Sequence, residues 1–260
     1  MSSTSSSADY GIDAPYVIRN LLVGGALALV LFLLGITGIW SGRVGPLRFG
    51  IIGFLWMAVG LIATGFWMWW SSRYGKVRER EKLLSNLSWR GDEQVLDVGC
   101  GRGLLLIGAA RRLTTGKATG IDIWQTEDLS GNKLEATIEN AKREGVEDRV
   151  TVKTADMRKM PFPDATFDVI ISRAAIHNLY AADDRASAIR EITRVLKPGR
   201  LAVIDDIRHF RQYGAVFTDN GCDVRRISSP AVSTFWTILT FGSLHPATLL
   251  VRKLPDRQKS

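Results

Sequence analysis

QVLDVGCGRGLLLIGAARRL (residues 94–113) places Gly99, Gly101 and Gly103 between a strand-like apolar run and a helix-like one. Glycine permits a tight turn and lets the backbone approach a ligand closely. A dinucleotide-binding turn has the spacing G-x-G-x-x-G, but Leu104 stands where its third glycine would be. Asp97 ends the strand, and its negative charge would repel a pyrophosphate. The turn therefore predicts a ligand that brings an ammonium group, and no phosphate, to this point.

Strands and helices alternate on the C-terminal side of this turn. Strands fit residues 94–98, 118–123, 150–154, 167–172 and 200–205, two more fit 223–227 and 248–252, and helices fit 103–113, 132–144, 183–196 and 209–220. Such alternation predicts a mainly parallel sheet with helices on both faces. We expect one α/β domain over residues 92–254.

Two uncharged apolar segments, residues 21–40 and 49–70, precede this domain. At about 1.5 Å per residue, each helix would span roughly 30 Å, the hydrocarbon thickness of a bilayer. Signal peptides have shorter apolar cores, and buried helices of soluble proteins carry a polar stripe. The pattern favours a transmembrane hairpin over residues 17–72, in which the four-residue spacing of Gly60 and Thr64 allows close helix contact. A Ser-rich tail, residues 1–16, is predicted to be disordered.

The charges are distributed as expected beside a membrane. The net charge is +8, and an amphipathic connecting helix is predicted at 73–91. That helix carries a cation cluster, Arg73, Lys76, Arg78, Arg80 and Lys82. A solvated helix face would explain the cluster equally well. With Arg19, six cations flank the outer ends of the hairpin against two in its connecting loop, which favours a cytoplasmic N-terminus and catalytic domain.

Other partner classes leave no pattern in the sequence. The basic residues do not form the aromatic-interleaved stripe of RNA-binding proteins, so no nucleic-acid partner is expected. The two cysteines, Cys100 and Cys222, fit neither a disulfide framework nor a zinc site, so a reducing compartment and no metal are expected.

Four motifs in order resemble those of the class I S-adenosylmethionine-dependent methyltransferases. LDVGCGRG (96–103) is similar to the first motif, GIDIW (120–124) to the second, and TADMRKMPFPDATFDVI (154–170) to the third and fourth. EITRVLKPGRLAVIDD (191–206) matches the stretch leading into the fifth strand, with Arg200 where the family usually has a second glycine. The wording of residues 120–132 also resembles the methyltransferase type 11 and ubiquinone–menaquinone methyltransferase-like branch.

The resemblance implies a Rossmann-like fold with a mainly parallel seven-stranded sheet, and S-adenosylmethionine as methyl donor. Asp97 and the glycine turn would hold its methionine part, Asp122 its ribose hydroxyls, and Asp156 its adenine amino group. The cofactor-binding residues expected by this resemblance are Asp97, Gly99, Cys100, Gly101, Gly103, Asp122, Ile123, Asp156, Met157 and Ser172.

The family's acceptor pocket would lie at SRAAIHNLY (172–180) and DDIRHFRQY (205–213). His177 is the candidate catalytic base, because an oxygen or carbon acceptor must lose a proton. A hydrogen-bonded structural role is the alternative for His177, and a thiol acceptor would need no base. The substrate-pocket candidates are Arg173, Asn178, Asp206, Arg208, His209 and Tyr213.

A dense apolar stretch, AVSTFWTILTF (231–241), is compatible with core, a lid or a membrane contact. Together with the hairpin it favours a membrane-anchored methyltransferase whose partners are the bilayer and a small lipophilic acceptor such as a quinone, isoprenoid or lipid. A methyltransferase of small thiols or xenobiotics, and a non-catalytic cofactor-binding scaffold, are the alternatives.

Overall fold

A computed structural model of the chain describes residues 8–41, 43–44, 47–48, 50–127, 129–239 and 244–255. These residues form two compact units. The larger contains the described residues of Met1–Tyr10, Glu79–Trp124 and Lys133–Ser260, and the smaller contains those of Gly11–Arg78 and Gln125–Asn132.

Two long apolar helices make up most of the smaller unit. They are α1 (Pro15–Ile36) and α2 (Ile51–Trp70), joined through the two-residue strands β1 (Arg43–Val44) and β2 (Leu47–Arg48). A π-helical stretch, Ser71–Gly75, continues α2 into α3 (Lys76–Leu84). Pro15–Ile36 and Ile51–Leu84 are each long and apolar enough to cross a membrane.

The two apolar helices touch through small residues. A Cβ at Gly25 would lie 2.6 Å from Ile62 Cγ1 and 3.3 Å from the Ala58 carbonyl oxygen, so the backbones are nearly in contact. The prediction that Gly60 and Thr64 form this contact is wrong. Both are exposed, and the Thr64 hydroxyl donates to the Gly60 carbonyl of its own helix at 2.7 Å.

A seven-stranded sheet forms the centre of the larger unit, in the order β5-β4-β3-β6-β7-β9-β8. The strands are β3 (Gln94–Val98), β4 (Lys117–Asp122), β5 (Val150–Thr154), β6 (Phe167–Arg173), β7 (Leu196–Asp206), β8 (Cys222–Arg226) and β9 (Ala247–Lys253). β9 is antiparallel to both of its neighbours, and the other pairings are parallel. The prediction of a mainly parallel sheet is confirmed, and the one antiparallel strand, β9, makes the sheet mixed.

Helices cover both faces of the sheet, because successive side chains of the central strands point to opposite faces and nearly all of them are buried. The helices are α4 (Leu104–Ala110), α5 (Leu134–Arg143), α6 (Ala182–Val195), α7 (Phe210–Asp219) and α8 (Pro230–Leu239). Val95 and Ile171 face a core with Leu105 of α4, whereas Leu96 and Ile170 face a second core. The second core also contains side chains of α6 and α7.

The prediction of a disordered N-terminal tail is wrong for residues 8–16, and residues 1–7 lie outside the described residues. The Asp9 backbone N–H donates to Asn140 Oδ1 at 2.9 Å, and Tyr10 is 7% exposed. The Tyr10 hydroxyl donates to Glu144 and accepts a hydrogen bond from Arg80 Nη1 at 3.0 Å. The Ser-rich composition of the tail predicted disorder, because composition carries no information about hydrogen-bond partners far along the chain.

The cation cluster and the connecting helix also differ from expectation. Arg80 is 2% exposed and Lys76 is 5% exposed, with Lys76 Nζ 2.8 Å from Asp13 Oδ1, so neither lies on a solvated face. The helix ends at Leu84, well before residue 91. Asn86 Nδ2 donates to the Lys82 carbonyl at 2.9 Å, which satisfies an unpaired carbonyl at the helix end.

The apolar stretch 231–241 falls mostly on α8, and residues 240 and 241 lie outside the described residues. Ile238 is 71% exposed, whereas Ser233 is 6% exposed. The stretch is therefore a helix with at least one exposed apolar side chain, and not wholly core.

Candidate functional site

The glycine turn joins β3 to α4 at the carboxyl ends of the parallel strands. The Gly99 and Cys100 N–H groups both donate to the Ile121 carbonyl of β4, at 2.9 and 3.0 Å. Gly99 has a φ of 72°, and a Cβ there would lie 2.3 Å from Ala175 Cβ. No other residue fits this position. The turn lies where the strand order reverses between β3 and β6, the usual ligand-binding edge of an open α/β sheet.

Asp97 places a carboxyl group directly beneath this turn. It is 2% exposed, and its Oδ2 has no hydrogen-bond partner in the described part of the chain. Burial, and then the charge of Asp122, raise the pKa of Asp97 to about 8. An ionised carboxylate is costly to bury unless a cationic group pairs with it, and without such a partner the group keeps its proton. The position therefore fits the ammonium-bearing ligand expected from the sequence.

Asp122 ends β4 beside the turn. Its Oδ2 accepts from the Gly101 N–H at 2.8 Å and its Oδ1 from the Trp124 N–H at 2.6 Å. Ile123, the next residue, is 48% exposed. A carboxylate beside an exposed aliphatic side chain suits a ribose with an adjoining flat base.

The remaining predicted cofactor residues divide into those near the turn and those in the core. Met157 Cε lies 3.6 Å from where a Gly99 Cβ would be. Asp156 is held by Arg158 at 2.7 Å, and this partner lowers the pKa of Asp156. Cys100 is buried against Gly120, and burial raises the pKa of its thiol. Ser172 is 1% exposed and donates to the Val98 carbonyl at 2.8 Å.

A histidine–aspartate pair lies at the ends of β6 and β7. His177 Nδ1 is 2.5 Å from Asp206 Oδ1, and the His177 backbone N–H donates to Asp206 Oδ2 at 3.1 Å. The Ile207 N–H and the Tyr213 hydroxyl also donate to Asp206, at 2.8 and 3.2 Å. Because the carboxylate accepts from Nδ1–H, the lone pair of the neutral imidazole is at Nε2.

His177 lines a cavity of about 270 Å³ in the larger unit. The lining residues are His177, Asn178, Tyr180, Arg185, Ile207, Arg208 and His209. The structure thus brings together four of the residues predicted for acceptor binding or catalysis, namely His177, Asn178, Arg208 and His209. Asp206 and Tyr213 lie behind His177, in contact with each other and not among the lining residues.

Arg173 does not belong to this group. Its guanidinium pairs with Glu79 and lies 3.4 Å from Asp205 Oδ2. Tyr180, Arg185 and Ile207 line the cavity but were not predicted. Tyr180 and Ile207 lie inside the two quoted stretches, whereas Arg185 lies on α6 in an ordinary amphipathic pattern that gave no indication of a site.

Comparison with known proteins agrees with this sheet and turn. Residues 95–199 match the family model of a methyltransferase domain. A 27-O-demethylrifamycin SV methyltransferase from Amycolatopsis mediterranei is 36% identical over 132 residues, 49% of this chain and 44% of that protein. A sterol 4-C-methyltransferase from Caenorhabditis elegans is 36% identical over 118 residues, 45% of this chain and 32% of that protein.

A demethylmenaquinone methyltransferase from Lactiplantibacillus plantarum is 31% identical over 121 residues, 46% of this chain and 47% of that protein. The chain spans about half the length, or less, of these curated relatives. Among solved structures, a geranyl diphosphate methyltransferase in complex with S-adenosylmethionine has a TM-score of 0.54 at 18% identity, over 68% of this chain and 85% of that one.

The [4+2]-cyclase SpnF gives a TM-score of 0.54 at 21% identity, over 68% of this chain and 81% of that one. At these identities the structures show the fold alone, and the cyclase illustrates that one fold carries more than one reaction. Residues 95–199 therefore match a methyltransferase domain model, and the sheet has the fold of a solved methyltransferase that binds S-adenosylmethionine.

Proposed function

We propose that the chain is a membrane-anchored S-adenosylmethionine-dependent methyltransferase that acts on a small lipophilic acceptor. The proposal depends on one observation, that a single sheet edge holds two arrangements. The first is the glycine turn after β3, with the unpartnered Asp97 Oδ2, and the second is the His177–Asp206 pair beside a cavity, at the ends of the next two strands, β6 and β7. The first arrangement suits the donor and the second suits an acceptor that must be deprotonated.

The donor supplies a methyl group already activated on a positively charged sulfur. Asp97 would pair with its ammonium group, and Asp122 would accept from its ribose hydroxyls while keeping the Gly101 and Trp124 amides. His177 Nε2 would take the acceptor proton as the new bond to the methyl carbon forms and the carbon–sulfur bond breaks. Asp206 would stabilise the resulting imidazolium.

The lipophilic acceptor is inferred from the two apolar helices. Only 17% and 11% of the two candidate spans are buried, and large side chains such as Leu27 and Trp56 are 60% and 70% exposed. A soluble core helix would be mostly buried. The names of the sterol and demethylmenaquinone methyltransferases support the same inference. Without the buried Lys76 and Arg80, four cations flank the outer ends of the hairpin against two in its connecting loop, and this asymmetry still favours a domain on the cytoplasmic side.

The His177–Asp206 pair favours this proposal over a thiol acceptor. A thiol reacts as its thiolate and needs no dedicated base. An imidazole whose tautomer is fixed by a buried carboxylate is the arrangement expected where a hydroxyl or an acidic carbon must be deprotonated.

The test uses the full chain in a nonionic detergent with methyl-labelled S-adenosylmethionine and a membrane lipid extract. We expect label in an organic-soluble product. His177→Gln should lower turnover by about a hundred-fold, the typical contribution of a general base, and leave donor affinity nearly unchanged. His245→Gln is the matched control, because His245 is exposed and does not line the cavity.

Two results would count against the proposal. Donor binding without a labelled product from any acceptor would make the chain a cofactor-binding scaffold. Full turnover in His177→Gln would remove the base and favour the thiol acceptor. If donor binding and folding are lost together in this variant, His177 is a structural residue.

A further inference from the structure

The cavity beside His177 contains an unusual buried charge. Arg185, on α6, is 6% exposed. Its Nε donates to Gln212 Oε1 at 2.9 Å, and its Nη1 donates to the Leu179 and Tyr180 carbonyls, both at 2.7 Å. All three acceptors are neutral, and no carboxylate lies within ion-pair distance among the described residues. Charged residues are rarely buried without an ionic partner.

One nitrogen of this guanidinium remains available. Arg185 Nη2 donates to no group in the described part of the chain, and it is not among the buried atoms that lack a partner. The other two nitrogens, Nε and Nη1, hold the guanidinium in place through their hydrogen bonds. Arg185 is therefore a fixed cation with one free edge in a cavity that it helps to line.

A second cation lines the same cavity. Arg208 precedes α7, its side chain is exposed, and its guanidinium forms no hydrogen bond or ion pair with the described residues. Burial, and then the positive charges of Arg185 and Arg208, lower the pKa of His209, which also lines the cavity. Asp206 contacts His177 of the cavity, but it is 3% exposed and its carboxylate already accepts from several donors.

We propose that Arg185 Nη2 and Arg208 bind an anionic group, a carboxylate or a phosphate, on the methyl acceptor. This rests on the proposed function and specifies its substrate class. The cavity volume of about 270 Å³ far exceeds the roughly 10–15 Å³ that one water molecule needs on the same measure, so a head group fits. Tyr180, 97% exposed at the edge of the cavity, offers an apolar surface for the rest of the molecule.

The test measures binding without turnover. The full chain in nonionic detergent is titrated by calorimetry with hexyl phosphate, hexanoate and hexanol, which share one apolar tail. We expect one of the anions to bind at least ten-fold more tightly than hexanol. Comparison of hexyl phosphate with hexanoate shows whether the site prefers a phosphate or a carboxylate. Arg208→Gln should weaken binding of that anion by about ten-fold, as expected for a lost charge-assisted hydrogen bond, and leave hexanol unchanged.

Arg211→Gln is the matched control. Arg211 lies three residues away, is exposed, does not line the cavity, and its loss changes the net charge equally. It should shift anion affinity by less than two-fold. Hexanol binding as tightly as both anions, or equal effects of Arg208→Gln and Arg211→Gln, would overturn the proposal. Label transfer to a neutral lipid with no anion preference would overturn it while leaving the proposed methyltransferase intact.

Discussion

Asp97 makes stability depend on pH at the level of a single side chain, and the proposed function gives it the ammonium group of the donor as partner. Its pKa of about 8 in the folded chain exceeds the value of about 3.9 in an unfolded one, so the folded state holds an extra proton between these pH values. The free energy of unfolding therefore falls as pH rises through this interval.

Asp97→Asn removes this pH dependence. Between pH 6 and pH 8 the variant should gain about 2 kcal/mol over the wild type, at about 1.4 kcal/mol per pH unit. Its donor affinity should fall at least ten-fold, because the ammonium group loses its partner. Denaturant unfolding at several pH values and calorimetry measure both effects, with exposed Asp219→Asn as control. Parallel pH profiles of wild type and Asp97→Asn would contradict the assignment.

Residues that lie within short sequence motifs were predictable from the sequence, whereas those whose position depends on partners far along the chain were not. The glycine spacing and the acid that ends β4 lie within short motifs, and the structure places Asp97, Gly101 and Asp122 together at the turn. The pairing of Arg158 with Asp184 and the buried hydrogen bonds of Arg185 depend on tertiary contacts. No local pattern distinguishes such arginines from solvated ones.

Among the helices and strands, the packing of α1 against α2 can be tested at two glycines. Gly25→Leu should destabilise the hairpin by about 1–3 kcal/mol, because a Cβ there already meets Ile62 and the Ala58 carbonyl. Gly60→Leu is the control on the opposing helix, since a Cβ at Gly60 meets nothing within 4 Å. It should be neutral or stabilising by up to about 1 kcal/mol through helix propensity. Unfolding of the full chain in detergent measures both, and equal effects would contradict the packing.

Sequence predicted the helices from their length but chose the wrong contact face, because small residues recur on several faces of both. The sheet strands were located to within one or two residues at most ends, since short apolar runs bounded by turns have few alternatives. β7 is longer than predicted because Phe167 already pairs with Leu196, beyond an irregularity in the ladder.

For the whole molecule, the decisive question is whether the apolar helices lie in a bilayer. The positions to test are Val23 and Leu27, near the middle of α1, which are 52% and 60% exposed. In a water-soluble protein, Arg at both exposed positions would change stability by about 0.5 kcal/mol or less each. Inside a membrane, each Arg near a helix centre costs about 2.5–3.5 kcal/mol. We therefore expect wild type to remain in the membrane pellet after a high-salt and alkaline wash, and Val23→Arg/Leu27→Arg to be strongly depleted from it. Ile36→Arg/Ile39→Arg is the matched control, because those side chains are 59% and 75% exposed but lie at the helix end, where Arg reaches the interface. High salt alone would release a chain held only by the exposed cations of α3, since surface charge is screened within about 10 Å at 0.1 M salt. Release of wild type by the wash, or equal retention of the two double variants, would show that the hairpin does not insert. The acceptor would then have to reach the cavity from water, and the lipophilic substrate class would lose its main support.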